Sequence, residues 1–329
     1  MTTLKDIAAQ VGVDISTVSK VLQGAPIRVS PATRDEIHRV AQEMNYRPNT
    51  VARGLRKRKS GAVALVVPTI TNYLYPEIVR GVQDAAESTG TVLFLFKTSP
   101  EQPEEQITSV VAQGRVDGLL FADDMPSPNF HHRLDAEKIP FVSLNRLDVD
   151  GVHAVALDDR AGFDAQAAYL TSLGHRQMVF IAVSPQSYVA TICEEVFSNG
   201  LVSRGAPVPL VLRCDFYGND IHRVVEELVA SDRRPTAIAT ASVLVAIRLM
   251  AELRAKGISV PKDISVIGYH DSPAAAGFLD GVTTVRMPSY QQGRRGMERL
   301  LQVIDGQEFT GEILSLEPEI IERGTCARL

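Results

Sequence analysis

Two groups of side chains near the amino terminus have the chemistry needed to bind a polyanion. Ser16 and Lys20 are four positions apart, so on a helix they share one face and present a hydroxyl and an ammonium group to the same partner. A basic run follows, and its members are Arg53, Arg56, Lys57, Arg58 and Lys59. Such groups donate hydrogen bonds to base edges and neutralise phosphates. They therefore indicate a nucleic acid as the partner, and a solvated charge run is the alternative for the second group.

The distribution of charge supports the same partner. The chain has 329 residues and a net charge of −5. Residues 1–60 carry 11 Lys or Arg against 5 Asp or Glu, a net charge of +6, and the remaining residues carry 23 against 34, a net charge of −11. A small basic module on a large acidic body is typical of a DNA-binding head attached to a second domain.

Three short helices are predicted to position the first group. Thr3, Asp14 and Ser30 are suitable caps for these helices, and Gly12 ends the first of them. The apolar positions recur at helical spacing and are Leu4, Ile7, Ala8 and Val11 in the first helix, Val18 and Leu22 in the second, and Ile37, Val40, Ala41 and Met44 in the third. A tight Gly turn between the first two helices is typical of a helix-turn-helix bundle. A further short helix is predicted at about residues 50–57, and we expect it to fold only when something holds it.

The rest of the chain alternates strands and helices. The predicted strands are residues 62–67, 92–96, 118–122, 140–144, 154–157, 178–182, 208–212, 237–240, 265–269 and 283–287, and the predicted helices are residues 77–89, 104–114, 162–173, 189–203, 219–231, 243–256 and 289–305. Strict alternation predicts doubly wound parallel sheets, and the number of strands exceeds one comfortable sheet. The sequence therefore predicts an α/β core of two similar subdomains, with a ligand site between them at the carboxyl ends of the strands.

Several classes of protein are disfavoured. No apolar run is long enough for a membrane span and no secretory signal opens the chain, so a cytoplasmic location is expected. The cysteines Cys193, Cys214 and Cys326 and the histidines lack metal spacing, so we expect free thiols, no metal and no cofactor. We expect His131 and His132 to lie in a loop. Phosphate-binding glycine loops, nucleophile elbows and zinc-protease motifs are absent, which leaves an enzyme or a solute-binding transport protein as remote alternatives.

Six motifs resemble the lac repressor family (LacI/GalR) of bacterial transcription regulators, and they span the whole chain. They are LKDIAAQVGVDISTVSKVL (4–22), RVSPATRDEI with NYRPN (28–49), VARGL (51–55), DGLLF (117–121), LGHRQMVFIA (173–182) and VPKDISVIGYHD (260–271). The resemblance implies a homodimer that binds a near-palindromic operator, a hinge helix in the minor groove, and a periplasmic-binding-protein-like core. The implied domains are a helix-turn-helix at 1–48, a hinge helix and linker at 49–60, an N-subdomain at 61–157 plus 286–317, and a C-subdomain at 158–285 plus 318–329.

The resemblance also implies which residues contact DNA. Ile15, Ser16 and Lys20 match the positions of the recognition helix that face base edges in the major groove. The other implied contacts are Thr3, Thr17, Ser19, Thr33, Asn49, Ala52, Arg53, Arg56 and Lys57. Leu55 matches a leucine that wedges between base steps, and a contact between the hinge helices of the two protomers is its alternative role. For Lys20 the alternative is a phosphate contact.

The implied effector cleft departs from the family pattern. Its residues are Asn72, Leu74, Tyr75, Asp123, Arg146, Ser187, Glu194, Ser242 and Asp271. Glu194 stands where an arginine is usual, Ser242 and Val243 stand where Asn-Asp is usual, and His270 replaces an acid.

These departures bear on the ligand. Asp123, Glu194 and Asp271 together predict a cationic or polyol effector in place of an anionic one. One alternative is that Glu194 is exposed or paired with Arg146 or Arg248, and another is that the core has lost its effector. Repression released by an inducer, repression that needs a corepressor, and activation all stay open.

Overall fold

The computed structural model describes residues 2–22, 24–46, 59–67, 75–97, 103–122, 127, 129–144, 153–183, 188–215, 217–231, 234–277 and 281–329, with the backbone alone at 188–191. The chain separates into two compact units, residues 1–58 and 59–329. Residues 49–58 of the predicted hinge helix and linker lie outside the described residues.

The first unit contains the three predicted helices, α1 (Leu4–Val11), α2 (Ile15–Leu22) and α3 (Pro31–Glu43). Thr3 and Asp6 form a reciprocal capping box at the start of α1, and the Ser30 hydroxyl accepts a hydrogen bond from the Thr33 backbone N–H at 3.1 Å at the start of α3. The core residues are Ile7, Ala8, Val18, Val21, Ile37, Val40 and Ala41. Leu22, predicted to face inward, is only half-buried, because Val21 fills the second core position of α2.

The second unit begins with a parallel sheet. Its strands are β1 (Ala62–Val66), β2 (Val92–Phe96), β3 (Leu119–Phe121) and β4 (Phe141–Ser143), in the order β2-β1-β3-β4. Strand β5 (Val155–Leu157) pairs in parallel with β11 (Glu312–Leu314) beside it. The helices of this part are α4 (Tyr75–Thr89), α5 (Pro103–Ala112), α6 (Phe130–Ala136) and α12 (Ser289–Ile304). These elements are called the first half of the core.

A second sheet forms the rest of the unit. Its strands are β6 (Met178–Val183), β7 (Leu210–Cys214), β8 (Ala237–Thr240), β9 (Ser265–Tyr269), β10 (Thr283–Arg286) and β12 (Glu319–Ile321), in the order β12-β10-β9-β8-β6-β7. All pairs are parallel except β10 with β12. The helices are α7 (Asp159–Ser172), α8 (Tyr188–Ser203), α9 (Ile221–Ala230), α10 (Val243–Ala255) and α11 (Pro273–Gly277). These elements are called the second half of the core.

The sequence prediction of two parallel sheets is confirmed. Within the described residues the chain passes between the halves three times, from β5 into α7, from β10 into α12 and from β11 into β12. These passages are called crossovers 1, 2 and 3.

Some elements were predicted wrongly or not at all. The segment that contains His131 and His132, predicted as a loop, is helix α6, because Phe130 and Leu134 are four residues apart and both are buried. Helix α11 and strands β11 and β12 were not predicted. They are three to five residues long, which is too short to show a hydrophobic period.

Helices α4 and α12 approach each other at two glycines. A Cβ atom on Gly81 would lie 2.0 Å from the Tyr290 carbonyl oxygen, and one on Gly293 would lie 2.1 Å from the Ile78 carbonyl oxygen. Only glycine lets the two backbones touch in this way. Met297 and Leu300 of α12 then join the apolar cluster on one face of the first sheet.

Candidate functional site

Helix α2 presents a solvent-facing surface that consists of Ile15, Ser16 and Lys20. Ile15 is 45% exposed although it is a large apolar residue, and Ser16 and Lys20 are exposed beside it. Val18 and Val21 hold the opposite side of the helix in the core. The structure therefore brings together the three residues for which sequence predicted base contacts, and it leaves their side chains accessible.

The start of α2 is fixed by Asp14. Its carboxylate accepts a hydrogen bond from the Ser16 backbone N–H at 2.7 Å. Hydrogen bonds from the side chain and backbone of Ser16 hold the pKa of Asp14 below its ordinary value. Asp14 thus stays ionised as a cap and sets the orientation of the exposed surface.

The other predicted DNA contacts in the first unit differ in their exposure. Thr3 is exposed at the start of α1, and its hydroxyl donates to the Asp6 carboxylate at 2.8 Å. The Thr33 hydroxyl pairs with the Ser30 hydroxyl at 2.8 Å. Thr17 and Ser19 are half-buried on α2. Their DNA contacts stay predictions, as do those of the residues that lie outside the described part of the chain, which are Asn49, Ala52, Arg53, Leu55, Arg56 and Lys57.

The core contains a cavity of about 670 Å³ that is lined by both of its halves. The first half contributes residues at the start of α4 and of α12, including Glu77, Arg80 and Tyr290. The second half contributes the ends of β9 and β10, including Asp271 and Arg286. A cavity of this size accommodates a small metabolite.

Asp271, predicted from sequence as an effector ligand, lies in the wall of this cavity within a network of arginines. Arg323 lies 2.8 Å and Arg286 2.9 Å from its carboxylate oxygens, and the Thr284 hydroxyl donates to it at 2.7 Å. Arg286 also pairs with Glu319 at 3.1 Å. Burial alone would raise the pKa of Asp271, but hydrogen bonds from Arg323, Thr284 and Arg286 hold it below its ordinary value. The carboxylate is therefore ionised and already compensated.

The remaining described cleft candidates do not line this cavity. Glu194 pairs with Arg213 of β7, and Arg248, one of its two predicted partners, instead donates to the Asn219 side-chain oxygen at 2.6 Å. Ser242 caps α10, because its hydroxyl accepts a hydrogen bond from the Leu244 backbone N–H at 3.2 Å. Tyr75 is buried at the start of α4. The other candidates, which are Asn72, Leu74, Asp123, Arg146 and Ser187, lie outside the described residues.

A buried acid lies behind the cavity wall. The Tyr269 hydroxyl donates to the Asp159 carboxyl group at 2.7 Å, and the Tyr269 ring stacks on Phe163 with 4.0 Å between the ring centroids. Burial raises the pKa of Asp159 to about 6, although the Tyr269 hydrogen bond acts in the opposite sense. Burial also lowers the pKa of the neighbouring His270 to about 4. Sequence analysis did not single out Asp159, because its partner is 110 residues away.

Asp159 gives a prediction for the dependence of stability on pH. Its folded pKa of about 6 is above the ordinary 3.8, so between these values the folded state binds more protons than the unfolded state. The free energy of unfolding of the wild type, relative to Asp159→Asn, is therefore expected to fall by on the order of 1–3 kcal/mol as pH rises from 4 to 7. Urea unfolding at several pH values measures it. His270 acts in the opposite direction in both proteins and cancels in the comparison, and a constant difference across this range would contradict the prediction.

Comparison with known proteins identifies the family. Residues 3–49 match the model of bacterial regulatory proteins of the lacI family, and residues 167–326 match that of the periplasmic binding protein-like domain. The HTH-type transcriptional repressor PurR of Vibrio cholerae is 30% identical over 338 residues, which cover 100% of this chain and 99% of that protein. The chain belongs to the lacI family of bacterial regulatory proteins.

Further members of the lacI family align along most of their length. Catabolite control protein A of Priestia megaterium is 26% identical, and the alignment covers 97% of each chain. The crystal structure of a lac repressor dimer, bound to operator and the anti-inducer ONPF, has a TM-score of 0.84 at 24% identity, with 99% of each chain covered. The structure of the regulator CelR in complex with cellobiose has a TM-score of 0.72 at 28% identity, covering 99% of this chain and 100% of that one.

Membership of the lacI family confirms the fold that was predicted from sequence, a helix-turn-helix unit followed by a periplasmic-binding-protein-like core. PurR is named as a transcriptional repressor and CelR as a transcriptional regulator, which agrees with the prediction that the chain is not an enzyme. The described helices include none that is long and apolar enough to cross a bilayer. The described residues also contain no group of three or more His, Cys, Asp or Glu side chains placed to hold a metal ion.

Proposed function

We propose that the protein is a homodimeric transcriptional repressor, which binds a near-palindromic operator and whose affinity is controlled by a small molecule bound between the halves of the core. The observation that carries the proposal is the exposed surface of α2. The 45% exposed Ile15 side chain is unfavourable in water, and beside the exposed ammonium group of Lys20 it suits the floor of the major groove, where thymine methyl groups and guanine acceptors lie side by side. The membership of the lacI family supports it.

Selection from random DNA tests the operator-binding part of the proposal. The purified protein is mixed with a library of random duplexes at about 150 mM salt, and bound duplexes are enriched over several rounds and sequenced. The expected result is one enriched motif made of two inverted half-sites. Binding without sequence enrichment would overturn the proposal in favour of non-specific binding.

The exposed edge of the first sheet supports dimerisation. Strand β2 lies at the end of the strand order, so one row of its backbone groups is unpaired by the sheet. Its side chains Val92, Phe94 and Leu95 are about half exposed, at 53%, 50% and 50%. Val92 and Phe94 project from one face of the strand and Leu95 from the other, so apolar side chains flank the open edge on both faces, and a second copy of the chain is proposed to cover this edge. The lac repressor structure with this fold is described as a dimer.

The substitution Phe94→Asp is expected to weaken self-association by about 30-fold or more, because it places a charge in the middle of an apolar contact. Sedimentation equilibrium measures the dissociation constant. Val208→Asp is the matched control, since Val208 is 63% exposed and lies in the second half of the core. A Phe94→Asp protein that associates as strongly as the control would show that β2 is not the interface.

The cleft favours an uncharged ligand with several hydroxyl groups. Sequence alone suggested a cationic or polyol ligand, and a cation would require that Glu194 and Asp271 present free charge. Both have arginine partners, and most charged groups of the cavity wall pair with one another, as Arg80 does with Glu77 at 2.7 Å. The lining contains four acidic side chains and three arginines, so its net charge is small and negative, and its paired groups offer hydrogen bonds that suit a sugar or polyol. The CelR complex with cellobiose supports this class of ligand.

A thermal-shift screen tests the ligand. Sugars, polyols, amines and small acids are each added at millimolar concentration, and a compound that binds the folded state must raise the melting temperature. We expect hits among the sugars and polyols, and hits confined to amines would contradict the charge argument. A screen without hits, alongside intact DNA selection, would indicate that the core has lost its effector.

A further inference from the structure

Two buried glutamines stand in related places of the two halves. Gln292 lies in the first turn of α12, directly after crossover 2, and Gln166 lies in the second turn of α7, after crossover 1. Both side chains are almost fully buried, at 2% and 0% exposure. Neither half needs a polar group in its apolar interior for packing, so the presence of an amide in both requires a physical reason.

The amide nitrogen of Gln292 links α12 by hydrogen bonds to two other segments of the first half. It donates to the carbonyl oxygen of Leu144, just after β4, and to that of Val155 in β5 at 3.1 Å. Strand β5 leads into crossover 1, and its partner β11 leads into crossover 3. One side chain thus ties the helix after crossover 2 to the strand before crossover 1.

Gln166 makes the corresponding attachment in the second half. Its amide nitrogen donates to the carbonyl oxygens of Thr240 and Ile267, at 3.1 Å and 3.4 Å. Thr240 is the last residue of β8 and Ile267 is the middle residue of β9, and the carboxyl ends of these two strands lead to Ser242 and Asp271. The helix that receives the chain from crossover 1 is therefore fastened to the strands that form the cavity side of the second half.

Each glutamine side chain buries one polar atom at a cost in stability. Their side-chain oxygens are buried, and among the described residues neither has a hydrogen-bond partner. An unsatisfied buried acceptor lowers stability, so the amide group is suited to its two donated bonds and not to general packing. A methionine of similar shape would fill the same space without this penalty.

We propose that Gln292 and Gln166 are positioning residues that anchor the crossover helices on the two sides of the connection between the halves, so that movement between the halves is confined to the short crossovers around residues 157–158, 287–288 and 315–318. Each anchor makes one crossover helix move as a single body with the carboxyl edge of its own sheet. This inference deepens the proposed function, because the movement between the halves is what a ligand would bias.

Distance measurement between the halves tests the anchors. Spin labels are attached at Gln113 of the first half and Ser203 of the second, both exposed, and the labelled chain is diluted with unlabelled chain so that only distances within one chain are seen. Pulsed electron resonance then gives the distribution of distances. We expect one narrow distribution for the wild type and a width at least doubled in Gln292→Met and in Gln166→Met, since each variant loses both donated bonds.

Thr325→Val is the matched control. Thr325 is buried, its hydroxyl donates to the Val266 carbonyl at 2.7 Å and accepts from the Thr283 N–H at 2.8 Å, and these bonds lie at the opposite end of the second sheet. It removes two buried hydrogen bonds without touching a crossover, so its distribution is expected to stay as narrow as that of the wild type. Glutamine variants no broader than this control would overturn the proposal.

Two additions keep the test decisive. If a methionine variant does not fold, Gln292→Asn retains the amide but is too short to reach both carbonyls, and we expect it to broaden the distribution as well. The measurement uses neither DNA nor ligand. The proposal about the two glutamines can therefore be refuted while operator selection succeeds. Operator selection can also fail while the distance measurement supports the proposal.

Discussion

Replacing Gly293 by alanine is expected to lower the free energy of unfolding by about 3 kcal/mol or more. The added Cβ would lie 2.1 Å from the Ile78 carbonyl oxygen, and this oxygen belongs to the backbone of α4, which cannot rotate away as a side chain can. The α4–α12 contact must therefore open, and the apolar cluster beneath it loses its packing. For a core of this size the melting temperature should fall by roughly 6–12 °C. Differential scanning calorimetry measures it.

Gly277→Ala is the control for this substitution. Gly277 ends α11, has no atom within 4 Å of its hypothetical Cβ, and does not have a positive φ. We expect its melting temperature to stay within about 1–2 °C of the wild type, since surface substitutions of this kind change stability by less than about 0.5 kcal/mol. Gly81→Ala should behave like Gly293→Ala, because its Cβ would lie 2.0 Å from the Tyr290 carbonyl oxygen. A Gly293→Ala protein as stable as the control would show that the helices separate at little cost.

Replacing Lys20 by alanine is expected to weaken binding to the selected operator by about 1–3 kcal/mol, which is roughly 5- to 150-fold. Lys20 is exposed on α2, and the structure shows no ion pair for it within the described residues, so the substitution leaves the fold of the first unit intact. Fluorescence anisotropy with the selected duplex measures the affinity. The loss should be largest for the operator and small for random DNA, because a base contact carries the sequence information.

Lys262→Ala is the control for charge. Lys262 is an exposed lysine of the core, and its removal changes the net charge by the same amount. If Lys20 contacts only a phosphate, its removal weakens operator and random DNA equally and lowers the slope of affinity against salt by about 1. That result would refute the base contact while leaving the DNA-binding surface in place.

Sequence was sufficient for what depends on local pattern. Apolar residues at helical spacing, such as those around Ile7, Val18 and Ile37, predicted the three helices of the first unit. Apolar runs such as residues 62–67 predicted the buried strands. The surface of α2 was predictable for the same reason, since a helix with a known buried side has a known exposed side. Short elements such as α11 and β12 escaped because three to five residues carry no readable period.

The charges of the cleft were not predictable from sequence. Whether Asp271 offers a free carboxylate depends on Arg323, which is 52 residues away in the chain and meets it only after β10 and β12 have paired. Glu194 of α8 likewise meets Arg213 of β7 only in the folded chain. The sequence shows which charged groups are present at a cleft, but only the folded structure shows which of them are already paired with an opposite charge.

The position of α12 in the chain has a consequence for the order in which the protein is completed on the ribosome. Residues 289–304 cover one face of a sheet whose last strand, β4, ends at residue 143. The part of that apolar face that α12 covers stays open while most of the second half, from α7 to β10, is synthesised. The first half is therefore completed only after most of the second half has been made, and during synthesis this open part of its sheet needs protection by a chaperone.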